Sequence, residues 1–150
     1  MTLFLSTYKN KIDKKLRVSI PSQFRAAIAY SQFQGVVLHK SISSNCVEGM
    51  TIEKLTELTD AIDKLDPFSQ ERDAFETIVL GGSVQLGFDP EGRIIIPQDI
   101  ALEYGLNEIA VFVGKGRKFQ IWNEDEFTKH QKESREIAMQ NRDKIKSTSH

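Results

Sequence analysis

The sequence predicts a mixed α/β, β-rich fold built from two similar halves, and three observations carry that expectation. The chain repeats a phrase: residues 13–21 read DKKLRVSIP and residues 89–97 read DPEGRIIIP, with Asp89 lying 76 residues after Asp13. That period is too long for a solenoid unit and fits a duplicated small fold. Each copy sits between short alternating segments and a proline-led helical pattern, so the same order of elements is expected twice. At 150 residues, 39% hydrophobic and 27% charged, the chain suffices for one compact domain or two half-domains sharing a core.

In the first half, Leu3 to Ile12 reads as a strand and residues 13–16 as a turn. Arg17 to Ile20 is a short strand with Val18 and Ile20 on one face and Arg17 and Ser19 on the other. Pro21 suits a first helical position, and Phe24, Ala27 and Ile28 follow at helical spacing. Gly35 ends that connection, and strands are expected over 36–40 and 46–50. Thr51 reads as an N-cap for a helix striped by Leu55, Leu58, Ile62 and Leu65. Asp66-Pro67 stops it. A second helix over 69–80, with Phe75, Ile78 and Val79 turned inward, closes at Gly81-Gly82.

The second half restarts with a strand over 83–88, a turn at 89–92, a strand over 93–96 and a helix opened by Pro97 that buries Ile100, Ala101 and Tyr104. Residues 110–113 and 119–122 form a hairpin around Gly114-Lys115-Gly116. Asn123 and Glu126 have capping-box spacing for a last helix. Neither half has strands enough to close a core, so the halves should pack as one unit. The organisation expected is a first half over 1–55, a helical connection over 56–82, a second half over 83–127, and an extension over 128–150 that frays into a disordered end at 147–150.

Net charge is −1, but its distribution is uneven. Residues 1–45 carry seven bases against Asp13 alone, and residues 46–78 carry nine acids against three bases. A basic first third on a neutral protein is an electrostatic footprint suited to phosphates. No apolar run approaches the roughly 18 residues of a membrane span, and the start, MTLFLSTYKNK, reads as a strand rather than a signal peptide. The single cysteine, Cys46, suits a reducing cytoplasm.

In each copy of the repeated phrase Asp begins a four-residue turn and Arg begins the returning strand. The carboxylate can accept turn N–H groups and reach the guanidinium, so Asp13 with Arg17 and Asp89 with Arg93 form the expected turn ion pairs. The same turn presents the guanidinium outward, where it suits a phosphate or the O6/N7 edge of guanine. Lys9, Lys11, Lys14, Lys15 and Arg25 surround Arg17, whereas Asp89, Glu91, Asp99 and Glu103 surround Arg93. If nucleic acid is the partner, the DNA-binding residues expected are Arg17, Lys14, Lys15, Lys9, Lys11, Arg25 and Arg93, with Arg17 the stronger contact.

On these residues the chain resembles the MraZ family, bacterial regulators built from two AbrB-like, swapped-hairpin halves. The resemblance runs to about residue 130 and rests on DKKLRVSIPSQFRAAI, LGGSVQLGFDPEGRIIIPQDIALEYGL and FQIWNEDEF. It implies a double-split β-barrel protomer with peripheral helices, assembling into a homo-oligomeric ring. It also implies a transcriptional regulator that binds double-stranded DNA at tandem promoter repeats of the division and cell-wall gene cluster. Such a protein would be cytoplasmic and associated with the nucleoid. The family's motif pairs carry over onto Asp13 and Arg17, and onto Asp89 and Arg93.

Two departures stand out. Leu16 occupies the place of the usual motif glycine, so the first turn is expected to differ or be strained. Gly49 replaces a larger strand residue, so looser packing is expected in the first half.

Other chemistry finds little support. His39, His130 and His150 lack metal-ligand spacing, no cofactor is expected, and Cys46 has no neighbouring histidine, so the chain does not read as an enzyme. Gly-Lys-Gly-Arg at 114–117 lacks P-loop spacing. The competing reading is an AbrB-like interaction or antitoxin-type module that reads no promoter. The duplication and the mixed-charge tail stand against it.

Overall fold

The computed structural model describes residues 3–145; the expected disordered end at 147–150 lies outside them. The first half comprises β1 (Thr7–Lys11), β2 (Arg17–Ser19), α1 (Ser22–Ile28), β3 (Gly35–Lys40), β4 (Val47–Met50) and α2 (Ile52–Asp63). After α3 (Gln70–Phe75) the same order recurs as β5 (Val84–Gly87), β6 (Arg93–Ile95), α4 (Gln98–Tyr104), β7 (Ile109–Gly114), β8 (Phe119–Trp122) and α5 (Glu124–Gln140).

All eight strands among the described residues are antiparallel. Six form one sheet in the order β1-β7-β8-β4-β3-β5, and β2 pairs with β6 in a two-stranded ribbon. Replacing each strand by its repeat partner reverses the six-strand order and leaves it unchanged, so the duplication survives as a pseudo-twofold. The first strand of each half pairs with the third strand of the other, β1 with β7 and β5 with β3. Neither half completes its own sheet. Among the described residues the two ladders form separate sheets, bridged at Ile12–Val18, and close no single ring of strands.

One face of the six-stranded sheet, the ribbon, α1 and α4 enclose the larger core. Its centre is aromatic: Phe24 meets Phe4 and Phe119 at ring-centroid distances of 5.3 and 5.2 Å. Val18, Ile20, Ile94 and Ile96 seal it from the ribbon side. The opposite sheet face carries a smaller cluster of Cys46, Val111, Trp122 and Phe127 beneath α5. Because β4 and β8 lie at the centre of the sheet and are covered on both faces, all four residues of each are buried.

Local chemistry explains most boundaries. Thr51, Ser69 and Asn123 cap α2, α3 and α5 by accepting the N–H of Lys54, Arg72 and Glu126. Pro21 and Pro97 stand one position earlier than expected, as extended residues immediately before α1 and α4. They have no N–H to leave unpaired there. The first strand is shorter than expected because Ser6, at φ 75°, breaks it, with Phe4 bridging separately to Gly116. Helix α5 runs to Gln140, and its acidic first turn (Glu124, Asp125, Glu126) suits the helix dipole.

Two further expectations are corrected. Following α3 the chain widens at Glu76–Leu80, where the Gly81 N–H reaches the Glu76 carbonyl at 2.8 Å. That i to i+5 turn shifts the register, so Val79 is buried while Ile78 is exposed and Phe75 half-buried. Gly49 does not loosen the first half. A Cβ there would lie 2.3 Å from the Phe119 ring, and Phe119 is fully buried. The aromatic residue of β8 fills the space that glycine leaves on β4.

Candidate nucleic-acid interface

The two Asp-x-x-x-Arg turns have matching hydrogen bonds. In the first, Asp13 Oδ1 accepts the backbone N–H groups of Lys15 and Arg17 at 2.9 and 2.8 Å, and Oδ2 accepts Arg17 Nε at 2.7 Å. In the second, Asp89 Oδ1 accepts the N–H groups of Glu91 and Arg93, both at 2.9 Å, and Oδ2 accepts Arg93 Nε at 2.8 Å. Each carboxylate thus fixes the turn backbone and orients the guanidinium. The backbone N–H of the motif arginine, followed by its guanidinium, holds Asp13 and Asp89 below the ordinary 3.8.

Leu16 and Gly92 occupy equivalent left-handed positions, at φ 62° and 75°. The first turn therefore keeps the shape of the second and carries strain; a left-handed non-glycine residue costs about 1–2 kcal/mol. The leucine side chain packs against the core cluster that contains Ala101 of α4. Arg25 stands at the matching position of α1, four residues after its proline, and it lies against Gly92. A Cβ on Gly92 would meet the Arg25 guanidinium at 2.7 Å. Gly92 takes its left-handed φ without the strain Leu16 carries and leaves room for this close approach.

Pairing of β2 with β6 brings the two copies together. The register sets Arg17 opposite Ile95, Val18 opposite Ile94 and Ser19 opposite Arg93. Cross-strand partners share a face. Val18 and Ile94 point into the core, so Arg17, Ser19, Arg93 and Ile95 form the outward face, and Ile95 is 61% exposed there. The two arginines are diagonal neighbours, about 7–8 Å apart by strand geometry. Their closeness also appears in the Arg93 pKa, which is raised first by the Asp89 hydrogen bond and additionally by the charge of Asp13 in the other turn.

The arginines are not equivalent. Arg17 uses Nε on Asp13, and its terminal nitrogens have no ion pair among the described residues. Arg93 also holds Glu91, with Nη1 3.3 Å from Oε2. Lys14 and Lys15 are exposed in the first turn and Lys11 is exposed one strand position before Ile12; none has an ion pair among the described residues. Lys9 is placed differently: its ammonium meets Glu124 at the start of α5 at 2.9 Å. Arg25 donates Nε to the Ile20 carbonyl at 3.1 Å and joins the second turn rather than the first. The structure therefore gathers Arg17, Arg93, Lys14, Lys15 and Arg25 around the ribbon, with Lys11 at its approach and Lys9 diverted.

Sequence reasoning missed Ile95 as a member of this face. The alternation places Ser19 beside Arg17, but only the β2–β6 register sets Ile95 opposite Arg17 on the same face. A two-stranded ribbon bearing two arginines on its outward face is narrow enough to enter the DNA major groove, which is about 12 Å wide. No helix among the described residues is long and apolar enough to cross a membrane.

Known proteins bear on this geometry. The family model described as "MraZ protein, putative antitoxin-like" matches residues 79–147. The transcriptional regulator MraZ of Rickettsia akari (strain Hartford) is 46% identical over 142 residues, covering 95% of each chain. That of Rickettsia rickettsii (strain Sheila Smith) is 46% identical with the same coverage, and that of Rickettsia canadensis (strain McKiel) is 44% identical, again covering 95% of each.

Proposed function

The chain belongs to the MraZ family, and from that membership we propose that it is a sequence-specific, DNA-binding transcriptional regulator. The observation that carries the reading is the ribbon, on whose outward face the β2–β6 register sets Arg17 and Arg93 as diagonal neighbours. Arginine presented end-on in the major groove takes the O6 and N7 of guanine. Lys14, Lys15 and Lys11 supply phosphate contacts that set register without reading sequence. Asp13 and Asp89 hold the guanidiniums in place, so little side-chain freedom is lost on binding.

One ribbon offers a small footprint. Useful affinity comes from several ribbons on a homo-oligomeric ring meeting tandem direct repeats, where each further contact is intramolecular. The cross-half strand pairing supports assigning the protomer to the double-split, swapped-hairpin architecture, with 1–55 and 83–127 as its halves, 56–82 as the connection and 128–150 as an extension. The targets in this reading are promoter repeats of the division and cell-wall gene cluster, bound in the cytoplasm at the nucleoid.

The test is a titration of a duplex from the chain's own upstream region across 0.05–0.2 M salt, with Arg17→Ala and Arg93→Ala beside the parent. Binding should weaken steeply with salt. Arg17→Ala should cost more than Arg93→Ala, because Glu91 already occupies part of the second guanidinium. Salt-independent binding, or two silent substitutions, would overturn the proposal. A partner protein that co-purifies with the chain while DNA fails to bind would favour the interaction or antitoxin-type reading.

A further inference from the structure

We infer that copies of this chain join by seating the α2–α3 turn of one protomer, tipped by Phe68, in an apolar groove of the next. The groove is a half-open cavity of about 550 Å³ between the sheet face opposite the ribbon and the helices of the inter-half connection. Its walls are apolar, with Met50 from β4, Leu58 and Ile62 from α2, and Phe75 and Val79 further on. Ile42 also lines it and is 60% exposed.

The occupant is supplied by the chain itself. Phe68 is 95% exposed, so it does not fill the groove of its own protomer. The turn that carries it is held rigidly. Asp66 Oδ1 accepts the Phe68 N–H at 3.0 Å, and Ser69 donates its hydroxyl to the Asp66 carbonyl at 2.8 Å. Arg72 closes the base of the turn, reaching the Leu65 carbonyl at 3.1 Å and Asp63 Oδ1 at 3.3 Å. Pro67 removes further backbone freedom. A phenyl ring fixed at the end of such a turn loses little freedom on binding, which is what an interface anchor requires. The cavity is larger than one phenyl ring, so the neighbouring turn residues enter with it.

Charge matches the two surfaces. Residues 63–73 carry four acids against two bases, and Arg72 is already held by Asp63 and Glu76. Asp66, Glu71 and Asp73 are exposed and have no ion pair among the described residues. The groove is lined on the β7–β8 loop by Lys115, Arg117 and Lys118. Lys118 is held by the buried Glu48 at 3.1 Å, whereas Lys115 and Arg117 are exposed and have no ion pair among the described residues. An acidic tip thus meets a cationic rim, which orients the approach and disfavours a reversed one. A tip on one copy and a groove on the next make a heterologous contact, and such contacts can close into rings. The inference rests on the ring assembly proposed above and supplies its contact; nothing in it depends on DNA binding.

Sedimentation velocity of the full chain without DNA tests the contact. One variant removes the tip, Phe68→Ser, and the other blocks the groove, Ile42→Glu with Arg117→Glu. All three positions are exposed, so both variants should keep the circular-dichroism spectrum of the parent. Each should weaken self-association by at least about tenfold, as loss of an interface anchor does. An equimolar mixture should then form heterodimers, because one variant keeps its groove and the other keeps its tip. Assembly of either variant at the parent's concentration, or a mixture that stays monomeric, overturns the inference and leaves ring assembly to another surface. A parent that stays monomeric at every concentration defeats the ring and this contact together, and leaves the reading of DNA by the ribbon untouched.

Discussion

Replacing Glu91 by glutamine should tighten DNA binding, and it should do so through Arg93. The Glu91 carboxylate lies 3.3 Å from Arg93 Nη1 and is 70% exposed, so it neutralises a guanidinium on the outward face of the ribbon. Glutamine keeps the side-chain shape and removes the charge. Asp89 still holds Nε at 2.8 Å and still fixes the turn, so the guanidinium keeps its orientation. The ribbon then gains up to one effective positive charge toward phosphate. In counterion-release terms the slope of log K against log salt should steepen by up to about 0.9 for each ribbon in contact. Across a fourfold change of salt, such as 0.05 to 0.2 M, that amounts to up to about 3.5-fold in affinity per ribbon. Fluorescence anisotropy of a labelled promoter duplex, titrated at several salt concentrations, reads both quantities. The companion measurement is the same substitution in an Arg93→Ala background, where the gain should shrink because the neutralised partner is absent. If Glu91→Gln leaves affinity and slope unchanged, or gains equally with and without Arg93, then Arg93 does not meet DNA as proposed.

Three other perturbations address the scaffold. Gly49→Ala should destabilise the fold by about 1–3 kcal/mol, the usual cost of overpacking, because its Cβ would fall 2.3 Å from the buried Phe119 ring; Gly87→Ala, with nothing within 4 Å, should instead stabilise by about 0.4–1 kcal/mol. Thermal melts at one protein concentration separate these opposite signs. Asp13 and Asp89 have folded pKa values held below 3.8, so their contribution is present above that pH and lost as pH falls through the lowered values. Asp13→Asn with Asp89→Asn should therefore flatten the acid limb of the stability profile below about pH 4, and an unchanged limb would contradict the turn geometry. Burial, aided by the charge of Glu48, pushes the Cys46 thiol up to about 12. A thiol reagent at pH 8 should label it only after denaturant unfolds the chain; rapid labelling of the folded protein would place it elsewhere.

Local chemistry made much of this protein legible from its residues. Thr51 and Asn123 announced helix starts because a side-chain oxygen two or three residues ahead of free N–H groups has few other uses. The alternation of Arg17, Val18, Ser19 and Ile20 named the inward and outward faces before any partner strand was known. Where expectation failed, the deciding contact came from far along the chain. Gly49 looked like a packing defect until Phe119, 70 residues later, was seen to fill it. Ile78 was expected inside, but the widened turn at Glu76–Leu80 rotated it outward. Lys9 counted as part of the basic patch until Glu124 was found against it.

Sequence alone determined that the chain is a duplicated β-rich fold with two arginine-presenting turns. Those features rest on residue identity over a few positions: an aspartate that can accept its own turn, a proline that can precede a helix, an alternation that can bury one strand face. Tertiary structure alone decided that β2 pairs with β6, that each half borrows a strand from the other, and that Arg17 and Arg93 are neighbours rather than distant copies. Backbone hydrogen bonds between strands are the same whichever strands supply them. The choice of partner therefore falls to the packing of Val18, Ile94 and the aromatic core, residues that meet only once the whole chain has folded.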